Sequence, residues 1–363
     1  MNIDKRILIY PYNYLSFYIV KHLIDRGMDV LLSSPKGTGL IGRDMAFAVN
    51  RQETGIMISE YSKELFENCD ILYIPKGNLN DPINEELSNI IKDAIEYDIL
   101  IYSSLETQEE QEFFNYNKFI DLNQKTNPRI DSYFKNIKEN RFSFYTPNIP
   151  VIYVGGVFDI IDNFYISLSL KYVLEGYGYK VSCITNESAG ILFNCLNYPN
   201  SFLDDNLSIE NRIIELNKYI RTVIEVEKPN VLIIQIPKGM ILYNNYFTNS
   251  FGSHAFMISE AAQSDYFVCT SSSNVISSEY FKKISEYFEK KFDSPIDCLH
   301  ISNIKFNIPD GYIDDTREIL FINEMKINQS IQIMKRDLSF EVLDLYQKEG
   351  LERLCENIFD SLG

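Results

Sequence analysis

The feature that most constrains the fold is the stretch IPVIYVGGVFDIIDNFYISLSLKYVLEGYGYKVSCIT, which begins at residue 149. An apolar run at 151–154 meets the glycine pair Gly155 and Gly156. A helical pattern at 163–175 follows, then a glycine-bearing turn and a second apolar run at 181–185. This is a strand–loop–helix–strand unit of the kind that opens a nucleotide-binding domain. A working phosphate loop reads G-x-x-x-x-G-K-[ST]: its amides cradle phosphate, its lysine meets the outer phosphates and its hydroxyl holds magnesium. Counted from Gly156, the lysine and hydroxyl positions hold Asp162 and Asn163, or Asn163 and Phe164 with one more loop residue. Neither register supplies the chemistry, and Asp159 and Asp162 put negative charge where phosphate would lie. The architecture points to a nucleotide-binding ancestor, and the residues argue against ordinary ATP hydrolysis.

The first half alternates strand and helix signals. Apolar strand runs fall at 7–10, 29–33, 71–74 and 99–103, with helical spacing at 14–26 and 84–96. Gly27 is a natural helix C-cap. Such alternation implies a parallel sheet covered on both faces. No G-x-G-x-x-G follows the first strand, where PYNYLS stands instead, so a standard dinucleotide site is not expected. The second half restarts the pattern, with strands expected at 151–154, 181–185, 231–236, 266–270 and 297–301, and helices at 163–175, 209–227, 254–263 and 277–292. The expected fold class is α/β with two parallel-sheet domains. A Rossmann-like domain spans 1–106 and a helical, aromatic connector spans 107–148, packed on the domains. A P-loop-like domain with a degenerate phosphate loop spans 149–339, and a C-terminal helix, with Gly350 as a candidate break, spans 340–363.

The 363 residues carry a formal net charge of -17. That balance disfavours nucleic acid and anionic membrane as partners, because both are polyanions. No apolar stretch approaches the roughly 20 residues of a membrane span, and no signal peptide opens the sequence, so a cytoplasmic protein is expected. Six cysteines without a C-x-x-C pair read as buried free thiols. No His/Cys/Asp cluster has metal-ligand spacing. No motif names a cofactor.

Three loops could carry chemistry. The first is SSPKGTGLIGRDMAF at 33–47, in which Ser34, Lys36, Gly37, Gly39, Gly42 and Asp44 follow a strand end. Glycines there permit positive φ and close approach of a ligand, and Lys36 with Arg43 could hold a carboxylate or phosphate. The second holds Gly155, Gly156, Asp159 and Asn163, with the acids facing the old phosphate position, where they would favour a cation or amine. The third, at 236–256, carries Asn245, Asn249, Gly252 and His254 after the strand VLIIQI.

The stretches SPKGTGLIGRD, VGGVFDIIDNFYISLSL and TNSFGSHAFMISEAAQSDY together resemble the peptide maturation system protein family. That family is encoded in clostridial natural-product clusters beside bacteriocin-like precursor peptides and radical-SAM maturases. The resemblance runs in order along nearly the whole chain and is most specific around Ser34, Pro35, Lys36, Gly37, Gly39, Leu40, Gly42 and Asp44. It implies an accessory protein in maturation of a ribosomally made peptide (a RiPP). Its partner would be the precursor peptide, a radical-SAM maturase or a carrier-like protein, and a homodimer is compatible with the same role. The competing expectation is an enzyme that keeps a nucleotide or small-molecule pocket and performs a transfer or ligation on the peptide.

Overall fold

The computed structural model describes residues 5–77, 85–105, 113, 115–136, 144–160, 162–244, 248–307 and 318–362. The chain divides into two units, 1–125 with 191–193, and 126–190 with 194–363. In the first unit the strands are β1 (Arg6–Ile9), β2 (Asp29–Ser33), β3 (Ile58–Ser59), β4 (Ile71–Ile74), β5 (Leu100–Ser103) and β6 (Phe119–Asp121). Helix α1 (Phe17–Asp25) joins β1 to β2, and α2 (Glu85–Glu96) joins β4 to β5. The sheet runs β3-β2-β1-β4-β5-β6 with every pairing parallel. This is the Rossmann order, and it reverses direction between β1 and β4. The apolar strands need cover on both faces: Ile7, Leu8, Ile9 and all of β4 are buried. Helix α1 ends as its sequence dictates. Gly27 adopts φ 76°, its N–H donates to Ile24 O at 2.7 Å, and Met28 N–H donates to Leu23 O at 3.1 Å. These two bonds satisfy two of the last carbonyls of the helix.

The second unit opens with α3 (Pro128–Asn136) and β7 (Val151–Gly156). It continues through α4 (Asp162–Gly176), β8 (Val181–Thr185), β9 (Leu196–Asn197), α5 (Asn200–Leu203), α6 (Ile209–Glu227) and β10 (Val231–Gly239). Next come α7 (Ser253–Ala261), β11 (Tyr266–Ser271), α8 (Ser278–Phe292), β12 (Cys298–Ile301), β13 (Ile304–Asn307) and β14 (Glu318–Phe321), then α9 (Glu324–Met334), β15 (Glu341–Val342) and α10 (Lys348–Leu362). The parallel sheet is ordered β15-β12-β11-β7-β10-β8-β9, and β13 and β14 form a separate antiparallel pair. Serines cap two of the long helices: Ser208 Oγ accepts from Asn211 N–H at α6, and Ser277 Oγ accepts from Tyr280 N–H at α8. All six residues of β7 are buried, as befits a central strand between two helical layers. The β7–α4–β8 crossover leaves β7 on one side and the β10–α7–β11 crossover passes to the other. The carboxyl end of β7 is therefore the switch point of this sheet, where open α/β folds place ligands.

The α/β class with two parallel sheets is the class the alternating pattern predicts. The stretch 107–148, expected as one connector, is instead shared out. Its aromatic Phe119 starts β6, which pairs with β5, whereas α3 packs in the second unit, where Phe134 meets Tyr219 edge-on at 5.5 Å. The tail is not a helix alone, because β15 pairs with β12 at the sheet edge. Gly350 does not break α10. It lies in the first turn, where a Cβ would stand 2.0 Å from Asp344 O. The six cysteines are buried free thiols, and no described helix is long and apolar enough to cross a membrane.

Candidate functional site

At the carboxyl end of β7, where a phosphate loop would open, the chain's own groups bond one another. A Cβ on Gly156 would lie 2.3 Å from Phe158 O, so the chain folds back on itself directly after the strand. Val157 N–H donates to Thr270 O at 2.8 Å, and Met240 N–H donates to Gly156 O at 3.0 Å. An amide that a phosphate loop would aim at its ligand is thus spent on the neighbouring strand. Thr270 Oγ1 at the end of β11 donates to Asn163 Oδ1, and both side chains are buried. Val157, Phe158 and Ile160 turn inward and are buried as well. Gly155 is needed for packing: a Cβ there would meet Ile236 and Met240 of β10 and its following turn at 3.0 Å.

The acids expected to face one position diverge. Asp159 is exposed, whereas Asp162 is fully buried at the N-terminus of α4. Neither carboxylate oxygen of Asp162 has a hydrogen-bond partner among the described residues. His300 of β12 faces it, with Nε2 3.8 Å from Oδ2. On its other face His300 Nδ1 accepts from Leu345 N–H at 3.2 Å, and its ring stands edge-on to Tyr346 at 4.7 Å. The N-terminus of α4, the end of a helix that draws anions, is thus occupied by the chain's own acidic side chain. The one lysine of α4, Lys171, is buried and paired with Glu175, which removes it as a phosphate ligand. Thr270 and His300 were not legible as site residues because they reach β7 from distant strands and belong to no local motif.

The third loop joins this region. Gly239 is in register with Gly156. Asn249, Ser250, Phe251 and Gly252 take φ of 47°, 51°, 54° and 72°, a left-handed turn that costs three of its four residues steric energy. Three contacts fix it. Asn249 Nδ2 donates to Ile241 O at 2.6 Å, and Lys291 Nζ donates to Phe251 O at 2.7 Å. Gly252 closes on Met240 so tightly that a Cβ would lie 2.2 Å from its carbonyl oxygen. His254 follows at the start of α7 and is buried. Its Nε2 lies 3.5 Å from Arg212 Nη2, its ring is edge-on to Phe202, and its Nδ1 is buried without a partner among the described residues. Burial, with Lys238 and Arg212 adding to it, pushes its pKa down to about 4. His254 is therefore a neutral packing residue at pH 7. Asn245 lies outside the described residues.

The glycine-rich loop after β2 belongs to the first unit. Gly37, Gly39 and Gly42 all adopt positive φ, with open space where a Cβ would stand. Ser34 is buried and donates from Oγ to Tyr12 O at 3.0 Å. Asp44, expected as a loop charge available to ligand, is 9% exposed and serves the loop itself. Its carboxylate accepts from Ala46, Thr54 and Gly55 N–H at 2.8, 3.0 and 2.6 Å and from the Thr54 hydroxyl. Burial alone would raise its pKa, but these donors outweigh burial and hold it below 3.8. Lys36 is exposed and pairs with Glu60 at 2.7 Å.

The two charges should separate under substitution. Lys36→Ala removes a solvent-exposed pair and should leave stability essentially unchanged. Asp44→Ala removes a cap and strands three amides, and should cost about 2 kcal/mol. Because the folded pKa of Asp44 is depressed, its contribution is whole above pH 3.8 and disappears as pH falls through the folded value. Urea titration of the two variants, with equal losses, would contradict this assignment.

Among the described residues no group of three or more His, Cys, Asp or Glu could hold a metal ion. No family model matches the chain, and no curated protein matches it. Among solved structures, a DUF1611 family protein from Anabaena variabilis is 10% identical, with 98% of this chain and 100% of that chain covered and a TM-score of 0.59. A plasmid partition protein from Borrelia burgdorferi is 12% identical over 59% of this chain and 100% of its own, with a TM-score of 0.35. An amine dehydrogenase from Mycobacterium smegmatis is 18% identical over 28% of this chain and 29% of its own, with a TM-score of 0.21. The chain therefore shares its α/β fold with the DUF1611 family protein.

Proposed function

We propose that this chain is an accessory binding protein in maturation of a ribosomally synthesised peptide, and that it acts without phosphate-loop chemistry. Its partner is the precursor peptide, the modifying enzyme or a carrier-like protein. The observation that carries the binding role is the closure of the switch point. Asn163 is bonded to Thr270, Val157 N–H to Thr270 O, and the helix N-terminus is occupied by Asp162. A fold kept intact while its nucleotide seat is filled is suited to recognition. The peptide pathway rests on the sequence resemblance. A second reading, an enzyme with a small-molecule pocket, is favoured by one feature. Lys36 is exposed in a loop of three positive-φ glycines beyond the end of β2, a place where an anionic substrate could approach backbone.

The test is the mass of the precursor peptide matured by its modifying enzyme with and without this protein. The proposal expects the modified mass to accumulate only, or much faster, when the protein is present. Identical product and rate in both reactions would overturn it. Loss of the effect in Lys36→Ala with the fold intact would favour the second reading.

A further inference from the structure

The second unit carries a half-open cavity of about 610 Å³ at the amino end of β7, the edge opposite the closed phosphate loop. Pockets of roughly 300–1,000 Å³ take small ligands or a few side chains rather than folded domains. Its walls are the segment at 144–147 and the C-terminal ends of α7 and α8. Asn217 pins the first wall from both sides, accepting from Tyr145 N–H at 2.9 Å and donating to Tyr145 O at 2.8 Å. The groove is therefore formed before anything binds, which lowers the ordering cost of binding.

Its charge is one-sided. Two helices end in it, each presenting the negative end of its dipole. Four lining carboxylates, Glu260, Asp265, Glu289 and Asp293, face two lysines, Lys290 and Lys291. Lys291 is already engaged by Phe251 O and the Tyr287 hydroxyl, at 2.7 and 2.9 Å. Asp265 accepts from Val151 N–H at 2.8 Å and Asp293 from Gln263 at 3.1 Å. Glu260 and Glu289 are exposed, and neither has an ion-pair partner among the described residues. Beside them Phe144 is 56% exposed, an apolar surface next to unpaired carboxylates.

We propose that this groove docks a peptide segment in which lysine or arginine alternates with apolar residues. The cations meet Glu260, Glu289 and the helix ends, and an apolar side chain covers Phe144. The proposal rests on the reading of the chain as a peptide-binding protein and names the chemistry it recognises. An anionic segment or a nucleic acid would meet the same carboxylates as repulsion.

The test uses the full chain and two fluorescein-labelled peptides, one alternating lysine with leucine and one with glutamate in place of each lysine, followed by anisotropy. The lysine peptide should bind, and the glutamate peptide should bind at least about tenfold more weakly. Glu260→Lys with Glu289→Lys should weaken the lysine peptide by a similar factor, with an unchanged melting curve. Lys290→Glu should strengthen it, and salt should weaken it. Equal binding of both peptides, or lysine-peptide binding unmoved by the double reversal, would overturn the proposal. So would a second copy of the chain seated in the groove, seen as a dimer on a sizing column that the double reversal dissociates. If the reversal abolishes lysine-peptide binding while precursor maturation is indifferent to this protein, the groove stands and the pathway reading fails. If maturation depends on the protein but not on the groove charges, the pathway reading stands and the groove assignment fails.

Discussion

Gly252→Ala should destabilise the second unit by about 4 kcal/mol, a large value for a single added methyl. Two effects combine. The residue sits at φ 72°, where a Cβ is strained in any surroundings. The added atom would also stand 2.2 Å from Met240 O and 3.0 Å from Met240 C, backbone atoms that cannot rotate away, and 3.2 Å from the Phe292 ring. Relief requires the left-handed turn to open, which gives up the Asn249 and Lys291 hydrogen bonds that hold it. Gly37→Ala makes the control: it has the same sign of φ and nothing within 4 Å of the new atom, so it should cost only about 1 kcal/mol. Chemical denaturation of both variants checks the contrast, and similar losses would show that backbone strain, not close approach, sets the cost.

The second large effect is a pH dependence. His254 has a folded pKa near 4 against 6.5 for a free imidazole, chiefly through burial. Above pH 6.5 both folded and unfolded chains leave it neutral, and it contributes no slope. Between 6.5 and about 4 the unfolded chain takes up a proton that the folded chain refuses, so stability falls as pH falls. The loss attributable to this residue should reach about 3 kcal/mol near pH 4. His254→Gln removes the titration, and its stability between those pH values should fall less steeply than that of the parent by that amount. Parallel curves for the two proteins would mean that His254 protonates freely in the folded state.

The strands and helices were legible because their cause is local. The apolar runs at 71–74 and 181–185 coincide with β4 and β8, and the pattern at 209–227 coincides with α6. Strand order was not legible, since it depends on which crossover turns which way, and neither was the division of 107–148 between two units. The candidate site was legible in its loops and not in its chemistry. Gly155, Gly156 and Gly252 were marked by sequence, and each has a close contact that explains it. Asp44 looked like a ligand-facing charge because nothing in SPKGTGLIGRD shows that Thr54 and Gly55 return to it. The pairing of Asn163 with Thr270, and of Asp162 with His300, joins residues more than a hundred positions apart, and no spacing rule reaches that far.

Magnesium ATP should find no seat at the end of β7, because the chain's own groups bond one another there. Isothermal titration with magnesium ATP, run beside a phosphate-release assay, tests it most directly. The expected result is no saturable heat and phosphate release equal to a protein-free control, for the parent and for Lys171→Ala alike. A saturable heat at micromolar ATP, with turnover above the control, would contradict it.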